Sequence, residues 1–388
     1  MKYSKIAEQI PPSPIRDMMC RAELYEDVIS FAVGEPDFYP TEKIIEATKT
    51  SLDNHEVRYA PGAGLLELRE KYADYLTKST GIEYDMSEVI VTTGGMGALF
   101  LGMLSVIDPG DEVLISAPYF SNYAQTVSLC HGKTVTVEVR EKDNFVLTPE
   151  AVQKAITPKS KVLIINSPCN PTGSLISYDI LKKIAEIAIK NDLLVISDEV
   201  YSHIVFDGQP CHSIVEFPGM KERTLIVDSC SKTFAMTGFR VGFAAGPEHL
   251  ISLMTKLTEG VYSAGVTFSQ RAAVEAFNSG MDHCEEMCRE YEQRRNYICR
   301  ELDKIDGISC IKPEGAFYVF VNISQSGMDA KHFSDHLLDE EHVAVVPGDN
   351  FGSAEGYKYI RISYATSMDN IVEGIKRISN FCSEYIDI

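Results

Sequence analysis

Thr224-Leu225-Ile226-Val227-Asp228-Ser229-Cys230-Ser231-Lys232, followed closely by Gly238-Phe239-Arg240, runs from apolar residues into polar groups, an amine and a guanidinium. A short continuous apolar run such as Thr224–Val227 is the pattern of a parallel strand buried on both faces. Four earlier segments repeat the arrangement. Glu88–Thr92 leads into Thr93-Gly94-Gly95-Met96-Gly97, and Glu112–Ser116 into Ala117-Pro118-Tyr119-Phe120. Val162–Ile165 leads into Asn166-Ser167-Pro168-Cys169-Asn170-Pro171-Thr172-Gly173, and Leu193–Ile196 into Ser197-Asp198-Glu199-Val200-Tyr201. Ligands of open parallel sheets bind beyond the carboxyl ends of the strands. The glycines, the polar groups, Lys232 and Arg240 are therefore expected along one edge.

Outward from these strands, helices are expected at Gly97–Ile107, Ser121–Cys130 and Ser177–Asn191, and one begins at Thr148-Pro149, with Thr148 as N-cap and Pro149 in the first turn. Further strands are expected at Thr134–Val139 and Val241–Ala245. This order predicts an α/β fold: a mainly parallel sheet with helices on both faces. After Ser263 the pattern changes to long charged helices, including Asp282–Asp303. Strands near Ile308–Ile311 and Phe317–Val321, a helix at Ala330–Asp339, a strand near Tyr357–Ile362 and a helix from Met368 predict a smaller α+β domain. The first 45 or so residues, with Pro11-Pro12 and Pro14, read as an irregular arm with a short strand near Val28–Val33. The expected division is residues 1–47 (arm and part of the small domain), 48–284 (large α/β domain) and 285–388 (small domain).

With 388 residues, each part is long enough to bury a core. Hydrophobic residues at 45% and charged residues at 24% are ordinary for a globular chain and exclude a disordered one. Asp and Glu number 56 against 36 Lys and Arg, a net charge of −20. Such a surface repels phosphate backbones and anionic membranes, so no nucleic acid and no membrane partner is expected. There is no apolar span of membrane length and no signal-peptide pattern, which predicts a cytoplasmic protein. The ten cysteines form no CxxC and read as reduced thiols. His283, Cys284 and Cys288 crowd one helix, but no second ligand pair accompanies them, so they read as packing residues and no metal is expected.

The edge has one consistent chemistry. A glycine-opened helix N-terminus is an anion site, and Ser229 and Arg240 add donors. Asp198 ends a buried strand, where a carboxylate needs a cationic partner such as a protonated ring nitrogen. Phe120 can stack on a flat ring, and Lys232 supplies a Schiff-base-forming amine. Phosphate, cationic ring nitrogen, planar ring and reactive lysine together describe pyridoxal 5'-phosphate.

The chain resembles the class I/II aminotransferases of the aspartate aminotransferase-like, fold-type I group, over nearly its whole length. The resemblance rests on Phe31–Phe38 (FAVGEPDF), Tyr59–Gly64 (YAPGAG), Asn170–Gly173 (NPTG), Asp198–Tyr201 (DEVY), Ser229–Lys232 (SCSK) and Ala235–Gly242 (AMTGFRVG). It continues through Glu314–Tyr318 (EGAFY), Val346–Gly352 (VPGDNFG), which marks the bacterial-type subgroup, and Arg361–Ala365 (RISYA). The resemblance implies that Lys232 binds the cofactor and shuttles a proton, Asp198 pairs with the ring nitrogen, and Tyr201 and Asn170 bond the ring oxygen. It implies Phe120 as the stacking ring, and Gly95, Met96, Ser229, Ser231 and Arg240 as phosphate ligands. Tyr59 is implied to reach the phosphate of the other subunit of a homodimer with shared active sites. Arg361 is implied to clamp the substrate α-carboxylate, assisted by Asn170 and Gly34. The implied substrates are an amino acid and a 2-oxo acid.

Met96 stands where many similar bacterial-type chains carry a lysine. A methionine cannot pair with a distal carboxylate, so apolar or aromatic donors are expected over aspartate, with 2-oxoglutarate as acceptor. A pyridoxal-phosphate C–S β-lyase on the same fold is the alternative reading. A DNA-binding regulator and a nucleotide-dependent oxidoreductase fit poorly: there is no room for a winged helix before Gly34 and no dinucleotide fingerprint.

Overall fold

The apolar runs become strands whose residues alternate between two cores. In the computed structural model, which describes residues 2–10 and 13–385, the chain enters through α1 (Lys5–Gln9), α2 (Pro14–Ala22) and β1 (Ile29–Ser30), then α3 (Glu42–Asp53) and α4 (Leu66–Thr80). The large sheet and its helices follow: β2 (Val89–Thr92), α5 (Gly94–Val106), β3 (Glu112–Ala117), α6 (Asn122–Leu129), β4 (Lys133–Glu138), α7 (Pro149–Ala155) and β5 (Ser160–Asn166). Then come α8 (Tyr178–Lys190), β6 (Leu194–Asp198), β7 (Thr224–Ser229), α9 (Cys230–Thr233), β8 (Gly242–Ala245), α10 (Glu248–Val261) and α11 (Thr267–Ser279). The last part holds α12 (Met281–Leu302), β9 (Ser309–Cys310), β10 (Tyr318–Asn322), α13 (Ala330–Glu341), β11 (Val343–Ala344), β12 (Val346–Pro347), β13 (Tyr359–Ser363) and α14 (Met368–Tyr385).

The seven-stranded sheet has the order β2-β8-β7-β6-β5-β3-β4. Its pairs are parallel except those of β8, which runs antiparallel to both β2 and β7. Period-2 alternation sends Val113, Ile115, Ile164 and Val227 into one core, with α5, α6 and α10. Leu114, Leu163 and Val195 face the opposite core, with α7 and α8, and Ile226 and Phe243 face a third, with α4 and α11. Burying each such side chain contributes roughly 1.5–3 kcal/mol, so truncating Leu163 to Ala is expected to destabilise by about 2–5 kcal/mol. The start of α7 follows its sequence signature, with the Thr148 hydroxyl accepting from Ala151 N–H at 3.3 Å.

The smaller sheet is antiparallel, in the order β12-β13-β10-β9. The N-terminal region joins this part of the chain through a separate two-stranded parallel sheet of β1 and β11, and it reaches the smaller sheet where Phe31 C=O accepts from Ser363 N–H at 2.8 Å.

The N-terminal arm departs from the irregular reading. Pro14 opens α2 rather than breaking it, because the first turn has no use for its missing N–H; the Ser13 side chain caps the helix by accepting from Arg16 N–H. Met18 and Ala22, one turn apart, are buried against the core that includes Leu338, Ala344 and Val346. Arg21 pairs with Asp335 of α13, and Tyr25 Oη donates to Asp339 at 2.7 Å.

Candidate functional site

The carboxyl ends of β2, β3, β5, β6 and β7 share one edge, and β8 starts there, with Gly242 opposite both Thr92 and Ser229. That antiparallel return brings Arg240 to the same edge as the strand ends. A cavity of about 560 Å³ opens here. Its wall includes Gly34, Gly95, Met96, Phe120, Asn170, Asp198, Tyr201, Ser229, Ser231, Lys232, Arg240 and Arg361. Tyr59 lies outside it and is 90% exposed.

At the floor, Asp198 is the last residue of β6 and 5% exposed. Its Oδ2 accepts from Tyr123 Oη at 2.6 Å and its Oδ1 from Val200 N–H at 3.3 Å. Desolvation pushes this carboxyl up to about 6, outweighing the lowering by those two donors and the positive Lys232. Tyr123, on α6, was not among the residues expected from sequence. A tyrosine after a strand carries no signal of its own; only the packing of α6 against α5 and β4 aims it at Asp198. Asn166 extends the floor, its Nδ2 donating to Asp198 C=O at 3.1 Å and its Oδ1 accepting from Asn170 N–H at 2.9 Å.

Lys232 lies on the single turn of α9 and is half-buried. Its Nζ donates to Gly34 C=O at 2.5 Å. Burial lowers its pKa to about 8; the Glu35 carboxylate opposes this, while Arg361 and Arg240 reinforce it. A lysine at about 8 has a substantial neutral fraction at the pH where an ordinary lysine is fully protonated.

The anion-binding side is built by glycine and close approach. Gly94 has φ +74°, and a Cβ there would lie 2.6 Å from Arg240 Nη2; a Cβ on Gly242 would lie 2.3 Å from the Gly94 carbonyl carbon. The N-cap of α5, Thr93, makes no side-chain cap, so the first N–H groups of this helix face the cavity without a side-chain acceptor. Arg240 is held by Thr237 C=O at 2.9 Å and Thr93 C=O at 3.4 Å. Ser229 Oγ caps α9 and lies 2.8 Å from Ser231 Oγ.

Arg361, in the middle of β13, is fully buried. Its Nη1 donates to Asn170 Oδ1 at 3.0 Å and its Nη2 to Ala32 C=O at 2.5 Å, while Nε has no partner among the described residues. The guanidinium lies over the Tyr318 ring at 4.6 Å, and Tyr318 Oη is 2.8 Å from Tyr201 Oη. Tyr318 is a second wall residue that sequence reasoning left unassigned, although it closes the quoted EGAFY stretch. It also fixes the size of Gly34: a Cβ at that position would come within 2.4 Å of Tyr318 Oη.

These groups fit pyridoxal phosphate. The floor offers a buried carboxylate that makes no ion pair among the described residues, the end of α5 offers donors without a side-chain cap, and a lysine of depressed pKa lines the same cavity. The helix that carries His283, Cys284 and Cys288 serves packing: Cys288 Sγ donates to Val205 C=O at 3.4 Å and Cys284 is buried. Among the described residues no group of three metal-ligating side chains comes together.

The family model described as "Aminotransferase class I and II" matches residues 26–378. Aromatic-amino-acid aminotransferase 2 of Thermococcus litoralis is 40% identical over 387 residues, covering 99% of each chain. The aspartate aminotransferase of Pyrococcus abyssi is 42% identical over the same length and coverage. The structure of the Thermus thermophilus aspartate aminotransferase with maleate superimposes with a TM-score of 0.93 at 35% identity, covering 98% of this chain and 99% of that one.

Proposed function

The chain belongs to the class I and II aminotransferases, and from that premise we propose how its residues share the reaction. It is a transaminase that uses pyridoxal phosphate to move an amino group from an L-amino acid to a 2-oxo acid. When bound, the cofactor supplies an aldehyde carbon that captures the amino group and a cationic ring that withdraws electrons from the substrate Cα.

Lys232 holds the cofactor through its amine. With the cofactor bound and its amine released, Lys232 Nζ would be the base placed to take a proton from the substrate Cα, and its pKa, lowered by burial to about 8, suits that role. Asp198, kept anionic above about pH 6, holds the proton on the ring nitrogen. Tyr123 positions that carboxylate through Oδ2. Tyr201 and Asn170 donate to the ring oxygen, and Phe120 covers the ring face. The N–H groups of Gly95 and Met96, with Ser229, Ser231 and Arg240, hold the phosphate. Arg361 takes the substrate α-carboxylate in a forked pair, with Asn170 and Gly34 beside it.

Tyr59 serves the site of a second copy in a homodimer. Its 90% exposure, next to Val57 at 63%, supports that reading. We place the protein in the cytoplasm, supported by its ten unpaired cysteines; among the described residues no helix is long and apolar enough to cross a membrane.

The preferred donor is apolar or aromatic. Met96 gives the wall a thioether, contacted by Asn122 Nδ2 at 3.6 Å, and Ile15, Met19, Val33 and Leu99 line the same cavity. The observation that carries the whole reading is the convergence of Lys232, Asp198 and Arg361 on one cavity. The experiment is an absorbance titration of the cofactor-loaded protein with a panel of amino acids. The near-visible band is expected to fade with phenylalanine or leucine at lower concentration than with aspartate, and to return with 2-oxoglutarate. Pyruvate release from cystathionine with no oxo acid present would overturn amino transfer in favour of elimination.

A further inference from the structure

Resting on the aminotransferase reading, we propose that Arg16 binds the second carboxylate of a dicarboxylic 2-oxo acid, so that one cavity serves both an apolar donor and an anionic acceptor. A ping-pong transaminase must seat two different side chains in turn at one place. Met96 cannot pair with the distal carboxylate of 2-oxoglutarate, and three of the cavity's cations already have other roles in that reading: Lys232 holds the cofactor, Arg240 its phosphate and Arg361 the α-carboxylate, each positioned by bonds to Gly34, to Thr237 and Thr93, and to Asn170 and Ala32 respectively. Arg16 also lines the cavity. Among the described residues, no carboxylate makes an ion pair with its guanidinium.

The helix explains how it comes to face inward. Met18 and Ala22 are buried against the small sheet, and Arg21 is paired to Asp335. Those three contacts fix the rotation of α2. Residues Ile15 and Met19, one turn apart, then line the cavity with apolar surface, and Arg16 and Cys20 line it beside them. An apolar side chain meets Ile15 and Met19; a carboxylate of the same reach meets Arg16. Arg361 is fully buried and Arg16 exposed, so the first takes the carboxylate common to every substrate and the second the one that distinguishes the acceptor.

The test compares Arg16→Met, Arg16→Lys and wild type, all cofactor-loaded, in the half-reaction that consumes the oxo acid. With Arg16→Met, kcat/KM for 2-oxoglutarate is expected to fall about 30-fold more than kcat/KM for phenylpyruvate, as the loss of one charge-assisted pair implies. The change is expected mainly in KM, because the pair exists before and during the reaction. Arg16→Lys recovers part of the loss. A second readout is calorimetric binding of glutarate against hexanoate, in which only glutarate weakens in Arg16→Met. Equal losses for both acceptors, or unchanged glutarate binding, overturn the proposal. A wild type that accepts phenylpyruvate but not 2-oxoglutarate overturns it while leaving amino transfer intact. A wild type that transfers to neither overturns both.

Discussion

At the floor of the cavity Asp198 is 5% exposed and Arg361 fully buried, each held by two or more hydrogen bonds. At the rim, Arg16 of α2 and Glu23, the residue that ends that helix, are exposed and, among the described residues, neither makes an ion pair. The floor is assembled from residues of two sheets, Asp198 at the end of β6 and Arg361 in the middle of β13, and is preorganised before any ligand arrives. The rim is carried by one short helix that docks through Met18, Ala22 and Arg21. Asp198 and Arg361 sit where burial magnifies their electrostatics; Arg16 sits where water weakens its own.

Four substitutions sharpen this contrast. Lys232→Ala removes both the cofactor linkage and the Cα base, and single-turnover transamination is expected to fall by about 10⁴-fold or more. Asp198→Asn is expected to lower kcat by about 10²–10³-fold. The same change should stabilise the cofactor-free protein. The folded-state pKa of about 6 lies above the unfolded value, so ionising Asp198 destabilises the fold. That penalty is absent below about pH 4, grows between about pH 4 and 6, and is complete above, where it reaches up to about 3 kcal/mol. Thermal melts at pH 7.5 and pH 4 check the sign: the midpoint should rise at the first and not at the second. A fall at pH 7.5 would mean that Asp198 is held by contacts worth more than its desolvation.

Arg361→Lys replaces a buried fork with a point charge. Here kcat/KM is expected to drop about 10–100-fold, equally for 2-oxoglutarate and phenylpyruvate, as measured by competing the two acceptors. This uniform loss is the counterpart of the selective loss expected at the rim. The smallest effect is expected from Met96→Lys. It should shift the ratio of kcat/KM for aspartate over phenylalanine upward by about tenfold. No shift would show that Met96 does not face the substrate side chain.

Much of the floor was legible because each element repeats the same grammar. Asp198, Asn170, Lys232 and the Gly94–Gly97 turn each follow an apolar run short enough to be one buried strand, and parallel strands end at a common edge. The antiparallel direction of β8 was not legible, since an apolar run has no sign; yet that direction places Arg240 beside Gly94. Tyr123 and Tyr318 were missed because a buried tyrosine looks the same whether it packs or donates. The helix α2 was missed because proline was read as a breaker, although Pro14 stands in the first turn, where it starts a helix.

The sequence by itself determined the layers, the family and the chemical inventory: the apolar periods dictate which segments are buried, and only a few residue types can hold a phosphate, a ring nitrogen and a Schiff base. The tertiary structure alone decided which side chains face each other. Arg361 meets Asn170 across 191 positions of chain, and Lys232 meets Gly34 across 198. Such pairings arise from the packing of chain segments distant in sequence, which local pattern does not encode. The orientation of α2 belongs to the same class, because its rotation is set by partners on α13 and the small sheet rather than by its own nine residues.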